Sequence, residues 1–203
     1  MEDVLDLYAE PDDPQRPKVC LDEKSKQLVA DIRPVQPMKH GYAERYDYEY
    51  KRNGTRNRFI EPQRGWRHVA VTERRTAQDF AQPMQWLVDQ AYPPAEVIRV
   101  VLDNLNTHRS ASLYEAFEPA EARRIARRLE FHYTPKHGSW LNMAEMELSV
   151  FSRQCLDRRI ADEDTLRREV AALEEERNRV QATINWQFTS QDARIKLKSL
   201  YPS

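Results

Sequence analysis

Three carboxylates stand where carboxylates do chemistry. Asp22 closes the apolar run "KVCLD", Asp103 closes "EVIRVVLD", and Glu145 lies within "GSWLNMAEMELSVF", which is striped with apolar residues. On a helix, Leu141 and Leu148 fall four before and three after Glu145, which puts Glu145 on the buried stripe. Glu145 is then about one and a half turns into that helix, and Glu147, about 200° around, faces out. Three clustered carboxylates without a basic neighbour repel one another, a cost that bound cations offset. Oxygen-only ligation suits Mg²⁺ or Mn²⁺. Two such ions about 4 Å apart activate a water or a 3′-hydroxyl and stabilise the leaving oxygen in phosphodiester chemistry. Strand-ending Asp and helix-borne Glu are also ordinary turn and cap residues, so the pattern alone leaves both readings open.

The elements that must position these groups change period along the chain. After a Pro- and Asp-rich lead, "KVCLDEKSKQLVADI" has a β-type apolar run that ends at Asp22. In "ERYDYEYKRNGTRNRFI", Tyr46, Tyr48 and Tyr50 alternate with charged residues before an Asn53-Gly54 hairpin turn, and "GWRHVAVTE" reads as a third strand. Phe80, Met84, Leu87, Val88 and Ala91 then define a helix capped by Thr76, in which Pro83 should kink the helix or delay its start. "EVIRVVLD" is apolar on both faces, as a central strand is. A helix over 112–128, with a restart at Pro119, a strand at "LEFHYTP", the Glu145 helix with Ser139 as its N-cap, and a final helix over 162–180 complete the order. Three strands, then alternating helices and strands, make an α/β domain with a mixed sheet.

The 203 residues are 40% hydrophobic and 32% charged, which fits one main domain. A formal net charge of -1 provides no global field toward DNA or an anionic membrane, so any polyanion must meet local basic patches. Arg123, Arg124, Arg127 and Arg128 form one such patch, and Arg153, Arg158 and Arg159 another; for the first, Glu118 and Glu121 favour a solvated charged face. Cys20 and Cys155 have no metal-ligand spacing and suggest a reducing compartment. No apolar run reaches about 18 residues, so a soluble cytoplasmic protein is expected.

"CLDEKSKQ", "VVLDNLNTH" and "HYTPKHGSWLNMAEMELSVFSRQCLDRRI", in that order, resemble bacterial insertion-sequence transposases of the six-thirty type, in the Tc/mariner superfamily. The likeness continues through "RYDYEYKRNGT", "GWRHVAVTERRTAQDFA" and "FTSQDARIKLKSLYP". It implies a ribonuclease H-like fold with a mixed five-stranded sheet flanked by helices. It divides the chain into an N-terminal lead (1–15), a catalytic core (16–160) and a C-terminal helical extension packed on the core (161–203). The family's Asp-Asp-Glu triad falls on Asp22, Asp103 and Glu145, which implies two Mg²⁺ ions (Mn²⁺ substituting), cleavage at transposon ends and strand transfer into target DNA. Double-stranded DNA and a homodimer are the implied partners, with no membrane and no small-molecule substrate, in a bacterial cytoplasm and on the nucleoid when bound. Asn104 and His108 either brace the metal site or contact a phosphate, or else stabilise their loop. Lys136, more than His137, is placed to contact the scissile phosphate. Trp140 reads as a packed aromatic ahead of a base-stacking group.

The chain departs from the family in three ways. Full-length members carry helix-turn-helix segments before the catalytic part, and here Asp22 comes early, so sequence-specific end binding is expected to be weak or absent. The strand after Asn53-Gly54 looks about two residues short, with Phe59-Ile60 alone before "EP", which would misplace Asp22. Lys24 shares a strand face with Asp22 and its ammonium could compete with a cation. These departures make a catalytically inactive remnant, acting if at all as an association module, the rival reading. A structure-selective nuclease of the same fold is a third.

Overall fold

The computed structural model describes residues 1–25, 55–61, 64–72, 76–158, 160 and 162–201; Tyr46, Tyr48, Tyr50, the Asn53-Gly54 turn and Arg159 lie outside them, as does the Lys24 side chain. Strands β1 (Lys18–Ser25), β2 (Thr55–Glu61) and β3 (Trp66–Thr72) form an antiparallel meander. Strands β4 (Ile98–Leu102) and β5 (Leu129–Tyr133) extend the sheet in parallel on the other side of β1, in the order β3-β2-β1-β4-β5. The β2 segment read as shortened pairs without interruption from Cys20↔Ile60 to Ser25↔Thr55, so nothing in its register displaces Asp22.

Every residue of β4 is buried, and the period of two sorts the neighbouring side chains. Val19 and Leu21 of β1 join Ile98, Val100 and Leu102 of β4 under one layer of helices. That layer comprises α2 (Ala77–Trp86), the π turn Leu87–Ala91, α3 (Ser110–Ala116) and α4 (Pro119–Ala126). Cys20 and Val101 point the other way, toward α1 (Glu2–Ala9), the start of α5 (Met143–Gln154) and α7 (Ser190–Lys196). A third cluster joins Val71 of β3, Phe151 of α5, and Leu166 and Val170 of α6 (Glu163–Arg179).

Several expectations are corrected. The stretch read as a lead carries α1, whose Val4, Leu5, Leu7 and Tyr8 are buried against the Cys20 face. The helix expected over 112–128 starts earlier, at Ser110, and the restart expected at Pro119 divides it into α3 and α4, because Phe117 and Glu118 are extended before Pro119 opens α4. Pro83 sits within α2 without delaying its start, and the Thr76 cap forms a closed box with Asp79. Asp22 does not end β1, which runs on to Ser25 alongside β2. Ser139 is not the cap of α5: it opens a 3-10 turn, Ser139–Leu141, and Asn142 is the cap.

The largest correction concerns Glu147, which is 2% exposed rather than outward. It accepts from Arg177 of α6, with Nη2 to Oε2 at 2.8 Å and a second bond from Nε, and lies 3.0 Å from Nε of the buried Arg67 of β3. Arg67 also donates to the carbonyls of Gly65 (2.9 Å) and Ala182 (2.6 Å). The helix is covered on two sides, by the sheet and by α6, and an apolar stripe reports only one of them. The α6 side chains also occupy the free edge of β3. Glu174 accepts from the Val69 amide at 2.9 Å, and Asn178 both accepts from and donates to the Arg67 backbone at 2.9 Å, so the edge offers few groups to another strand.

Glu147→Ala leaves Arg67 buried without its counterion and should cost about 3–5 kcal/mol in urea unfolding, whereas exposed Glu175→Gln should stay within about 0.5 kcal/mol. Gly65 has φ 67, and a Cβ there would stand 2.5 Å from the Gln181 backbone, so Gly65→Ala should lower stability by about 2 kcal/mol or more in the same assay.

Candidate active site

Strand register brings the two aspartates together. Cys20 of β1 pairs with Val101 of β4, and two residues further along stand Asp22, still in β1, and Asp103, one residue past the end of β4. Equal steps from a paired position keep neighbours side by side, and the period of two keeps both on the Cys20–Val101 face. That face receives the start of α5. Asn142 is buried there, its Oδ1 accepting from the Ala144 amide (3.1 Å) and its Nδ2 donating to the Leu21 carbonyl (2.7 Å), so the helix cap is bonded to the residue preceding Asp22. From behind, the Tyr8 hydroxyl donates to the Leu141 carbonyl at 2.8 Å.

Glu145 is in the first turn of α5, not one and a half turns in, and the helix N-terminus favours its negative charge. Asn-Met-Ala-Glu has the spacing of a capping box, in which the third helical residue returns its carboxylate to the cap amide. The boxes at Thr76/Asp79 and Thr189/Asp192 close in this way. At α5 the Asn142 amide instead donates to the Ser139 carbonyl (2.8 Å), and the Glu145 carboxylate is left uncommitted: its Oε2 is buried without a hydrogen-bond partner among the described residues.

Asp22, Glu23, Asp103 and Glu145 line one cavity of about 250 Å³, with Ser139 and Asn142 at its wall. Burial raises the Asp22 carboxyl to about 6; the Glu23 amide, donating at 2.8 Å, opposes the rise, and the charges of Asp103 and Glu145 add to it. His108 is buried beside them, its Nδ1 2.5 Å from Asp103 Oδ1 and its Nε2 3.3 Å from Glu23 Oε1. Burial alone would lower this imidazole, but its hydrogen bond to Asp103 and the nearby Glu23 carboxylate outweigh that and raise it to about 9. As they stand, no three His, Cys, Asp or Glu side chains among the described residues converge tightly enough to hold an ion, and Asp103 is turned toward His108. The donor set still suits a hard divalent cation: carboxylate oxygens only, one of them buried and unpartnered, and one carboxyl raised by burial first and by neighbouring carboxylates second.

The other sequence candidates divide. His108 touches Asp103 directly. Asn104, Lys136 and His137 are exposed and do not line the cavity. Trp140 is 42% exposed yet stacked on Trp186, so it is only partly the packed aromatic expected. Arg124 is engaged by Asp89 and Glu121, Arg128 by the Tyr92 and Pro93 carbonyls, and Arg158 by Glu169, which leaves Arg123 and Arg127 as the exposed cations of the first patch with no side-chain partner among the described residues. Glu23 and Asn142 were not singled out from sequence. The capping-box spacing carried the signal for Asn142; Glu23 becomes visible only once His108 is placed.

A mixed α/β sheet that gathers carboxylates at two neighbouring strands and a helix N-terminus is suited to phosphodiester chemistry. The chain belongs to the DDE superfamily endonuclease family, whose profile matches residues 17–167. No curated protein sequence matches it. Among solved structures it is similar to the Mos1 mariner paired-end complex with Mn (14% identity, 91% of this chain and 60% of that one, TM-score 0.40). It is also similar to the Mos1 strand transfer complex (13% identity, 85% and 56%, TM-score 0.39) and to a Mos1 transposase paired-end complex with the left transposon end (13% identity, 83% and 55%, TM-score 0.29). The chain spans 55–60% of the length of these structures, and the family assignment rests on the profile match alone. No helix among the described residues is long and apolar enough to cross a membrane.

Asn142→Ala removes a cap and leaves the Leu21 carbonyl without its buried donor, so it should cost about 1–3 kcal/mol in urea unfolding. Asn142→Asp keeps the cap acceptor but not the donor to Leu21, and should recover only part of that loss.

Proposed function

We propose that the chain is the catalytic domain of a transposase of the Tc/mariner superfamily, of the bacterial insertion-sequence six-thirty type. It cuts DNA at transposon ends and transfers the freed strand to target DNA. The observation that carries the reading is the uncommitted Glu145 carboxylate at the N-terminus of α5, facing the cavity it shares with Asp22 and Asp103. The strand order, with an antiparallel β1–β3 meander and parallel β4 and β5, supports a ribonuclease H-like core over 16–160, with 161–203 as its helical extension.

In this reading Asp22, Asp103 and Glu145 hold two Mg²⁺ ions, or Mn²⁺ in their place, which when bound supply charge to a phosphate oxygen and lower the pKa of a water. His108 keeps Asp103 oriented, and the helix N-terminus carrying Glu145 tolerates the negative charge that the substrate adds. Water attacks phosphorus and the P–O3′ bond breaks, leaving a 3′-hydroxyl; that hydroxyl then attacks a target phosphorus and displaces its 3′ oxygen. Double-stranded DNA is the partner, a homodimer the working unit, and the bacterial cytoplasm and nucleoid the location.

Nicking of supercoiled plasmid with Mg²⁺ or Mn²⁺ tests the proposal. The wild-type chain should nick, and Asp103→Asn and Glu145→Gln should fall to background while melting as wild type does. Equal nicking by all three would assign the activity elsewhere, and a folded wild type that never nicks would favour the inactive remnant.

A further inference from the structure

We propose that Trp140 is a base-stacking platform, on whose exposed face lies a nucleobase of the strand held in the acidic cavity; this rests on the reading of that cavity as a DNA-cutting site. An indole is usually well covered, and Trp140 is 42% exposed. Its other side is filled by aromatic rings. Trp186 lies nearly parallel to it, at 6.4 Å and 15°, and Phe188 meets it at 5.5 Å and 78°. Trp186 is itself held, its Nε1 donating to the Phe188 carbonyl at 2.7 Å and its ring backed by the buried Tyr8 at 5.2 Å. The column Tyr8, Trp186, Trp140 therefore runs from the core to the surface, so little rotamer freedom remains to be lost when a second ring lands on its outer end. Trp186 and Phe188 lie beyond the residues 17–167 matched by the family profile.

The place and the charge of this patch select its occupant. Ser139, the residue before Trp140, lines the acidic cavity, so a strand whose phosphate is at the carboxylates passes beside the indole. The turn leading there is stiff: the Gly138 amide donates to the Pro135 carbonyl at 2.8 Å, and a Cβ on Gly138 would stand 2.6 Å from Pro135 Cγ. That turn displays Lys136, exposed and without an ion pair among the described residues, and Lys196 Nζ, which also reaches Asp192 Oδ1 at 3.4 Å, stands 5.5 Å from the centre of the Phe188 ring. A flat aromatic surface with ammonium groups around it suits a neutral heterocycle on an anionic backbone. An acidic peptide carries the same negative charge past the cavity but has no flat heterocycle on each repeat of its backbone to lay on the indole.

The test uses a duplex with a short 3′ single-stranded extension carrying 2-aminopurine, with Ca²⁺ in place of Mg²⁺ so that the carboxylates are neutralised and no strand is cut. Binding by the wild-type chain should quench the probe. Trp140→Ala should bind about tenfold more weakly without quenching, and Trp140→Phe should restore most of both. Binding without quenching by wild type, or equal affinity for wild type and Trp140→Ala, overturns the platform. So does a Trp140→Ala variant that turns a dimer into a monomer in sedimentation, which would mean that a second copy covers the ring. Mn²⁺ calorimetry on the same proteins keeps the two readings apart: metal binding shared by wild type and Trp140→Ala leaves the cavity reading intact whatever the probe reports.

Discussion

The side-chain amide of Asn142 reaches from the N-cap of α5 to the carbonyl of Leu21, and that bond sets the spacing between the helix that bears Glu145 and the strand that bears Asp22. Both ends of the amide are used and the group is buried, so the helix cannot slide along the sheet without leaving a polar atom unpaired. Asp103 joins through a different constraint, the parallel register of β1 and β4. One hydrogen bond and one register thus place three carboxylates around a cavity, and neither uses the carboxylates themselves.

Holding like charges together is unfavourable, and the surroundings temper the cost. The N-terminus of α5 faces Glu145, and His108 bridges Asp103 and Glu23. Further along α5, two residues past Glu145, Glu147 is locked between Arg67 and Arg177. The ion pair at Glu147 fixes the rotation of the helix, and the Asn142 cap fixes its position along the sheet. The chain termini complete the support, since Tyr8 of α1 bonds to Leu141, and Trp186, which precedes α7, backs Trp140.

Much of the sheet was legible because its strands announce themselves by period. The apolar β4 with Asp103 just past its end, the Thr76 cap and the extent of α6 all follow from local pattern. The Glu145 helix was legible as a helix but not in its environment. An apolar stripe marks the side facing the sheet and is silent about α6, so Glu147 looked outward although a buried arginine 80 positions earlier required it. Helix α1 hid behind acidic residues and a proline-rich continuation, because its partners Leu141 and Ala193 are remote in sequence. Asn142 was legible in principle: Asn-x-x-Glu signals a cap, and the structure adds that the Glu is diverted from the cap to the cavity.

The central claim is that the three gathered carboxylates form a cation site. Mn²⁺ titration by calorimetry into the intact chain tests it most directly, alongside Asp22→Asn, Asp103→Asn and Glu145→Gln, with exposed Glu175→Gln as the surface control. Binding by wild type and Glu175→Gln that disappears in the three cavity variants, all of them folded, is the expected result. A folded wild type that binds no Mn²⁺, or binding that survives in all three variants, would contradict the account.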